Sequence, residues 1–198
     1  SNLLFFSTSN FNSSGKISYQ DFLKVIEKKE QVIIPGGSAA NVMRGASRHG
    51  LETALFGTVG NDKCGEEYIK NLQEYNVASL LSISDGKSGI CYNLITPDGE
   101  KTSIAIIGAA ERYDFDFEKL KETKIFHTSG YELMTNPERT KESVFYAKNL
   151  KALISFDLAD PEAVRIERGN LDKILGVTDI LFATEEECHE LCGTVDDL

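Results

Sequence analysis

The chain has 198 residues, is 41% hydrophobic and carries a formal charge of −10 from 21 basic and 31 acidic residues. That length and apolar content predict one domain with a sizeable core, and no Lys/Arg-rich stretch offers itself to nucleic acid or to an anionic membrane. The apolar runs are too short to span a bilayer and the first residues lack a basic n-region, so a cytoplasmic protein with no membrane partner is expected.

In chain order, residues 10–21 look like a calcium loop, with Gly15 in the sixth place. Asn10 stands in the first ligand place, however, and Asp21 where a bidentate Glu is wanted. A helix capped at Ser18 is expected there instead. A strand is expected at 31–34, then a Pro35-Gly36-Gly37 turn and a helix over 39–49, capped by Ser38 and stopped by Gly50. A strand at 53–59 precedes a helix at 65–75. Two apolar runs, 90–96 and 103–107, flank Pro97-Asp98-Gly99-Glu100, a hairpin signal. Further strands at 124–127, 152–156 and 179–182 alternate with helices at 137–149, 171–175 and 185–191. This alternation predicts an α/β fold with a mostly parallel sheet, from which the hairpin projects as a flap.

Two features bear on chemistry. Cys188 and Cys192 lie four apart around His189, but only Glu residues are at hand to complete a metal site. All four cysteines, with Cys64 and Cys91, are expected as thiols in a reducing compartment. The glycine turn at Gly36-Gly37 leads from a strand into a helix, where a ligand can approach the backbone closely. Asn41 falls in the first helical turn, and its amide suits a hydroxyl pair better than a phosphate. Neither GxGxxG after this strand nor GxxxxGK[ST] anywhere is present, which removes the dinucleotide and P-loop readings.

The stretch PGGSAAN is followed by a helix, a strand and Gly57-Thr58-Val59-Gly60-Asn61-Asp62-Lys63-Cys64-Gly65. Then come Ser88-Gly89-Ile90-Cys91, the TPDGEKT hairpin, Gly108-Ala109-Ala110, Thr128-Ser129-Gly130-Tyr131, Phe156-Asp157-Leu158-Ala159-Asp160-Pro161 and Thr184-Glu185-Glu186-Glu187. In this order the motifs resemble the PfkB, or ribokinase-like, carbohydrate kinases, and among them the adenosine-kinase-like branch. The resemblance covers about residues 16–193. It implies a ribokinase-like three-layer α/β sandwich with a mostly parallel central sheet and a small β lid, formed here by about 31–36 and 88–107. The chain would be a single incomplete domain lacking the C-terminal part of that fold. The resemblance also implies transfer of the ATP γ-phosphate, with Mg²⁺, to a primary hydroxyl of a nucleoside or sugar, and a homodimer through the lid. Carried over by position, Gly36, Gly37 and Asn41 would hold sugar hydroxyls, Cys91 and Tyr131 would line the acceptor pocket, and Glu187 would serve the metal.

Three departures qualify that expectation. The family's GAGD segment, whose Asp is the base, does not occur in these 198 residues, so no catalytic residue is assigned. The family's first strand has no convincing counterpart in residues 1–12. Its N-x-x-E motif reads Thr184 to Glu187, with Thr in place of Asn. The leading expectation is therefore the acceptor-binding part of an ATP-dependent nucleoside or sugar kinase, adenosine-like in preference. The alternatives are a non-catalytic binding or regulatory protein and a non-functional truncated product.

Overall fold

The structure is a computed structural model that describes residues 33–95, 101–112 and 116–193. The calcium-loop-like stretch, the first half of the strand expected at 31–34 and the hairpin turn lie outside them. Helix α1 (Ser38–Arg48) begins at Gly37, whose φ of 101° belongs to the left-handed region that glycine enters without strain. It closes at Gly50, φ 82°, as the sequence predicts. Two expectations change here. Ile33 and Ile34 are not in a strand and are exposed. Ser38 is the first helical residue rather than the cap, because the sharp turn at Gly37 places it inside the helix, and its hydroxyl reaches elsewhere.

Strand β1 (Thr53–Gly60) leads through Asp62 to α2 (Lys63–Glu74) and β2 (Val77–Ser84), which lies parallel to β1 from Thr53↔Val77 to Gly60↔Ser84. The Asp62 carboxylate accepts from the Gly65 N–H, satisfying an orphan donor of the first turn. The antiparallel pair β3 (Ile90–Ile95) and β4 (Lys101–Ile106) forms the expected hairpin, in register from Ile90↔Ile106 to Ile95↔Lys101.

A second parallel sheet has the order β5 (Ile125–Ser129), β6 (Leu153–Asp157), β7 (Ile180–Phe182). Its crossovers hold α3 (Gly130–Thr135) and α4 (Pro137–Asn149), then α5 (Pro161–Ile166) and α6 (Arg168–Leu175); α7 (Glu185–Cys192) follows β7. These starts are written in the sequence. Asn136 and Asp160 each cap a helix whose first residue is proline, and Ser129 with Glu132 and Thr184 with Glu187 form capping boxes.

The larger core packs Phe126, Ile154 and Phe156 of the sheet against Val144 and Ala147 of α4, Leu171 and Ile174 of α6, and Leu133 of α3. A smaller one joins Ala40 of α1 and Leu55 and Val59 of β1 to Tyr68 and Leu72 of α2. Phe56 of β1 packs on the larger cluster and couples the two. The arrangement is α/β with parallel strands joined by helices, as the resemblance implies, and it directs the glycine turn toward the carboxyl ends of β5 and β6.

Candidate functional site

The glycine turn is held from two sides. The Tyr68 hydroxyl donates to the Gly36 carbonyl at 3.1 Å, tying the turn to α2. The Ser38 hydroxyl donates to Asp157 Oδ2 at 3.5 Å, tying the start of α1 to the end of β6. Asn41, one turn into α1, has an exposed side chain whose Oδ1 accepts from Arg44 Nη1 at 2.8 Å. Burial pushes the Tyr68 hydroxyl up to about 12, against the pull of Arg44, so it remains a donor to the turn.

At the strand ends, Asp157 Oδ1 accepts from the Ala159 N–H at 3.1 Å. Ala159 has φ 70°, a conformation a non-glycine residue adopts at a cost, and it bends the chain so that Asp160 follows Asp157 closely before capping α5. Tyr131 opens α3 immediately after β5. Burial, then the negative charges of Asp160, Asp157 and Glu187 and the Cys91 thiol, push its hydroxyl up to about 12. Tyr131 therefore stays a neutral hydroxyl among carboxylates, and Cys91 of the hairpin reaches the same neighbourhood. The charges of Asp157, Asp160 and Glu187 all act on Tyr131, and the Ser38–Asp157 contact ties the start of α1, next to the Gly36-Gly37 turn, to the end of β6. Ligands of open parallel sheets bind at these carboxyl ends. The sequence reading left out Ser38 and Asp157 as site residues; the signal available was the position of Asp157 as the last residue of an apolar strand.

Glu187 is 5% exposed, and its Oε2 accepts from the Thr184 N–H at 2.8 Å while its own N–H donates to Thr184 Oγ1 at 3.3 Å. One carboxylate oxygen is thus engaged in the cap of α7. No group of three or more His, Cys, Asp or Glu residues that could hold a metal ion occurs among the described residues. A Mg²⁺ ion held by one or two carboxylates together with waters and a ligand's phosphates would not need such a group. None of the four cysteines is in a disulfide.

The Gly60–Gly65 stretch acts as a clasp. Asp62 Oδ2 accepts from the Ser88 N–H at 2.9 Å and Oδ1 from the Ser88 hydroxyl at 2.6 Å, while Ser88 Oγ accepts from the Gly60 N–H at 3.0 Å. Partial burial acts to raise the Asp62 carboxyl, but the donors of Ser88 and Gly65 outweigh it and hold the group below its ordinary value. A Cβ on Gly60 would overlap the backbone of Gly86 to Ser88, which is why no side chain fits there. The clasp fixes the root of the hairpin against β1 and α2.

The pattern of the pfkB family carbohydrate kinases matches residues 15–197. The chain belongs to this family. Among its pfkB relatives, it is 30% identical over 164 residues to a nucleoside kinase of Methanothermobacter thermautotrophicus, covering 80% of this chain and 51% of that protein. It is 24% identical over 187 residues to the adenosine kinase of Saccharomyces cerevisiae, covering 90% and 55%. The fold is similar to the crystal structure of adenosine kinase from Sinorhizobium meliloti, with a TM-score of 0.80 at 23% identity, over 91% of this chain and 58% of that one. The chain spans about half the length of the curated pfkB relatives it matches. Among the described residues, no helix is long and apolar enough to cross a membrane.

Proposed function

We propose that the chain carries the acceptor side of a kinase that transfers the ATP γ-phosphate to a hydroxyl of a neutral nucleoside or sugar, adenosine-like in preference. The observation that carries this reading is the joining of the Gly36-Gly37 turn and Asn41 to Asp157 through Ser38. It gathers amide donors and carboxylate acceptors at one end of the sheet, the complement of a polyol. The carboxylates around Tyr131 disfavour an already phosphorylated sugar, because a second negative charge there would be repelled. The names of the relatives, nucleoside kinase and adenosine kinase, support the nucleoside over the hexose. In this reading Gly36, Gly37 and Asn41 meet the sugar, Tyr131 and Cys91 line its pocket, and Glu187 lies beside the phosphate and Mg²⁺ region. Four thiols outside any disulfide suit the cytoplasm, and the hairpin is the surface through which a homodimer would form.

A second reading, a non-catalytic nucleoside- or sugar-binding protein, is favoured by the engagement of Glu187 in its helix cap. Calorimetry of the chain without ATP, using adenosine, ribose and ribose 5-phosphate, tests the acceptor claim. Adenosine is expected to bind and ribose 5-phosphate to bind more weakly than ribose; no heat with any of the three sinks the proposal. ADP production with bound adenosine by the protein in its full natural length separates the kinase from the non-catalytic reading.

A further inference from the structure

The side chain behind Asn41 decides what Asn41 can offer a ligand. Asn41 and Arg44 are three residues apart on α1 and therefore share a face. Arg44 Nη1 donates to Asn41 Oδ1 at 2.8 Å. A guanidinium carries only donors, so the amide must turn its oxygen toward Arg44 and its NH₂ group away from it. The exposed half of Asn41 is then made of donors alone.

Arg44 is built into this position. It is 7% exposed, and its guanidinium carbon lies 5.6 Å from the ring centroid of Tyr68 and 5.9 Å from that of Tyr75. Among the described residues its buried Nε and Nη2 have no hydrogen-bond partner, and the aromatic rings and the Asn41 oxygen are what face its charge. An arginine buried in this way is costly compared with an apolar side chain of similar length, which would fill the same space between the rings. Tyr68 also holds the Gly36 carbonyl through its hydroxyl. One ring therefore braces both the glycine turn and the cation that orients the amide beside it.

We propose that Arg44 is a positioning residue that fixes Asn41 as a pure donor, so that the acceptor hydroxyl bound there receives a hydrogen bond from Asn41 and directs its own proton elsewhere. This rests on the reading of Asn41 as a contact to the acceptor, and it names the polarity of that contact.

Two measurements test it. The first needs no ligand: nuclear magnetic resonance order parameters of the Asn41 side-chain NH₂. They are expected to fall in Arg44→Met and Arg44→Gln and to hold in Arg44→Lys, which keeps a donor-only cation between the rings. Unchanged order in Arg44→Gln overturns the proposal, and the comparison of Arg44→Gln with Arg44→Lys decides it even if Arg44→Met does not fold. The second is a double-mutant cycle on adenosine affinity. Arg44→Gln is expected to weaken binding about tenfold in the native background, the scale of one hydrogen bond, and to have no effect in Asn41→Ala. An equal loss in both backgrounds shows a merely structural role and overturns the proposal. Failure of the native chain to bind adenosine removes the acceptor reading, while the order parameters still decide the role of Arg44.

Discussion

His127 shows how a single residue on the sheet responds to its surroundings. Its Nδ1 lies 2.9 Å from the Ser155 hydroxyl across the β5–β6 pair, its ring meets Phe182 edge-on, and its buried Nε2 has no partner among the described residues. Burial holds the imidazole below its ordinary value of 6.5, with Glu132 and Asp157 opposing the shift. The unfolded chain therefore takes up this proton before the folded one as the pH falls. The contribution of His127 to stability is fully present above pH 6.5 and is lost as the pH drops toward the folded value. Melting curves from about pH 7.5 to about pH 5 should show a smaller decline for His127→Gln than for the native chain over that window. Parallel declines would remove the argument. At this scale the site was half legible. The Gly36-Gly37 turn and Asn41 announce themselves, because paired glycines ahead of a helix leave the backbone open to a ligand, and a polar side chain in the first helical turn stands beside that opening. Arg44 and Asp157 do not: their roles come from partners 3 and 119 positions away, and only the second of those separations needs a folded sheet to close it.

At the scale of elements, the hairpin depends on Asp62. That side chain caps α2 through Gly65 and receives both the backbone N–H and the hydroxyl of Ser88, so one carboxylate joins a helix start to the root of β3. Asp62→Ala is expected to lower stability by about 1–2 kcal/mol, the range for losing a helix cap. It should also speed hydrogen exchange at the Ser88 and Gly65 amides. Asp62→Asn keeps an acceptor for only part of this set and should fall in between. Loss of stability without faster exchange at Ser88 would mean that the clasp does not hold the hairpin. The start of α4 was readable, because an Asn-Pro pair terminates one element and begins another for local reasons. Strand β2 was not. Its Val-Ala-Ser-Leu-Leu-Ser-Ile-Ser run has little β-branched content, and its extended form is imposed by eight parallel pairings with β1. The short helices α3 and α5 also went unread, since six residues are fewer than two helical turns and leave no apolar period to detect.

The molecule as a whole is finished on one side and open on another. Parallel strands are ordinarily covered on both faces, and β6 obeys this, with Ile154 and Phe156 fully buried. β7 does not: Ile180, Leu181 and Phe182 are 39%, 43% and 55% exposed, and among the described residues the strand pairs with β6 alone. Ladder donors and acceptors on the outer side of β7, flanked by bare apolar side chains, are a template for another strand. The 198-residue chain by itself is therefore expected to self-associate at roughly 50 µM, a concentration at which open edges aggregate. Light scattering should then report a mass above the 21.9 kDa of the single chain. Leu181→Lys should return it toward the monomer, because a solvated cation on the edge opposes pairing, whereas Phe182 is left in place because its ring backs His127. Adenosine affinity should not change with Leu181→Lys if the acceptor contacts lie at the glycine turn and the ends of β5 and β6. A native chain that stays monomeric across the concentration range would show that the β7 edge is not sticky, and a Leu181→Lys chain that stays associated would place the contact on another surface.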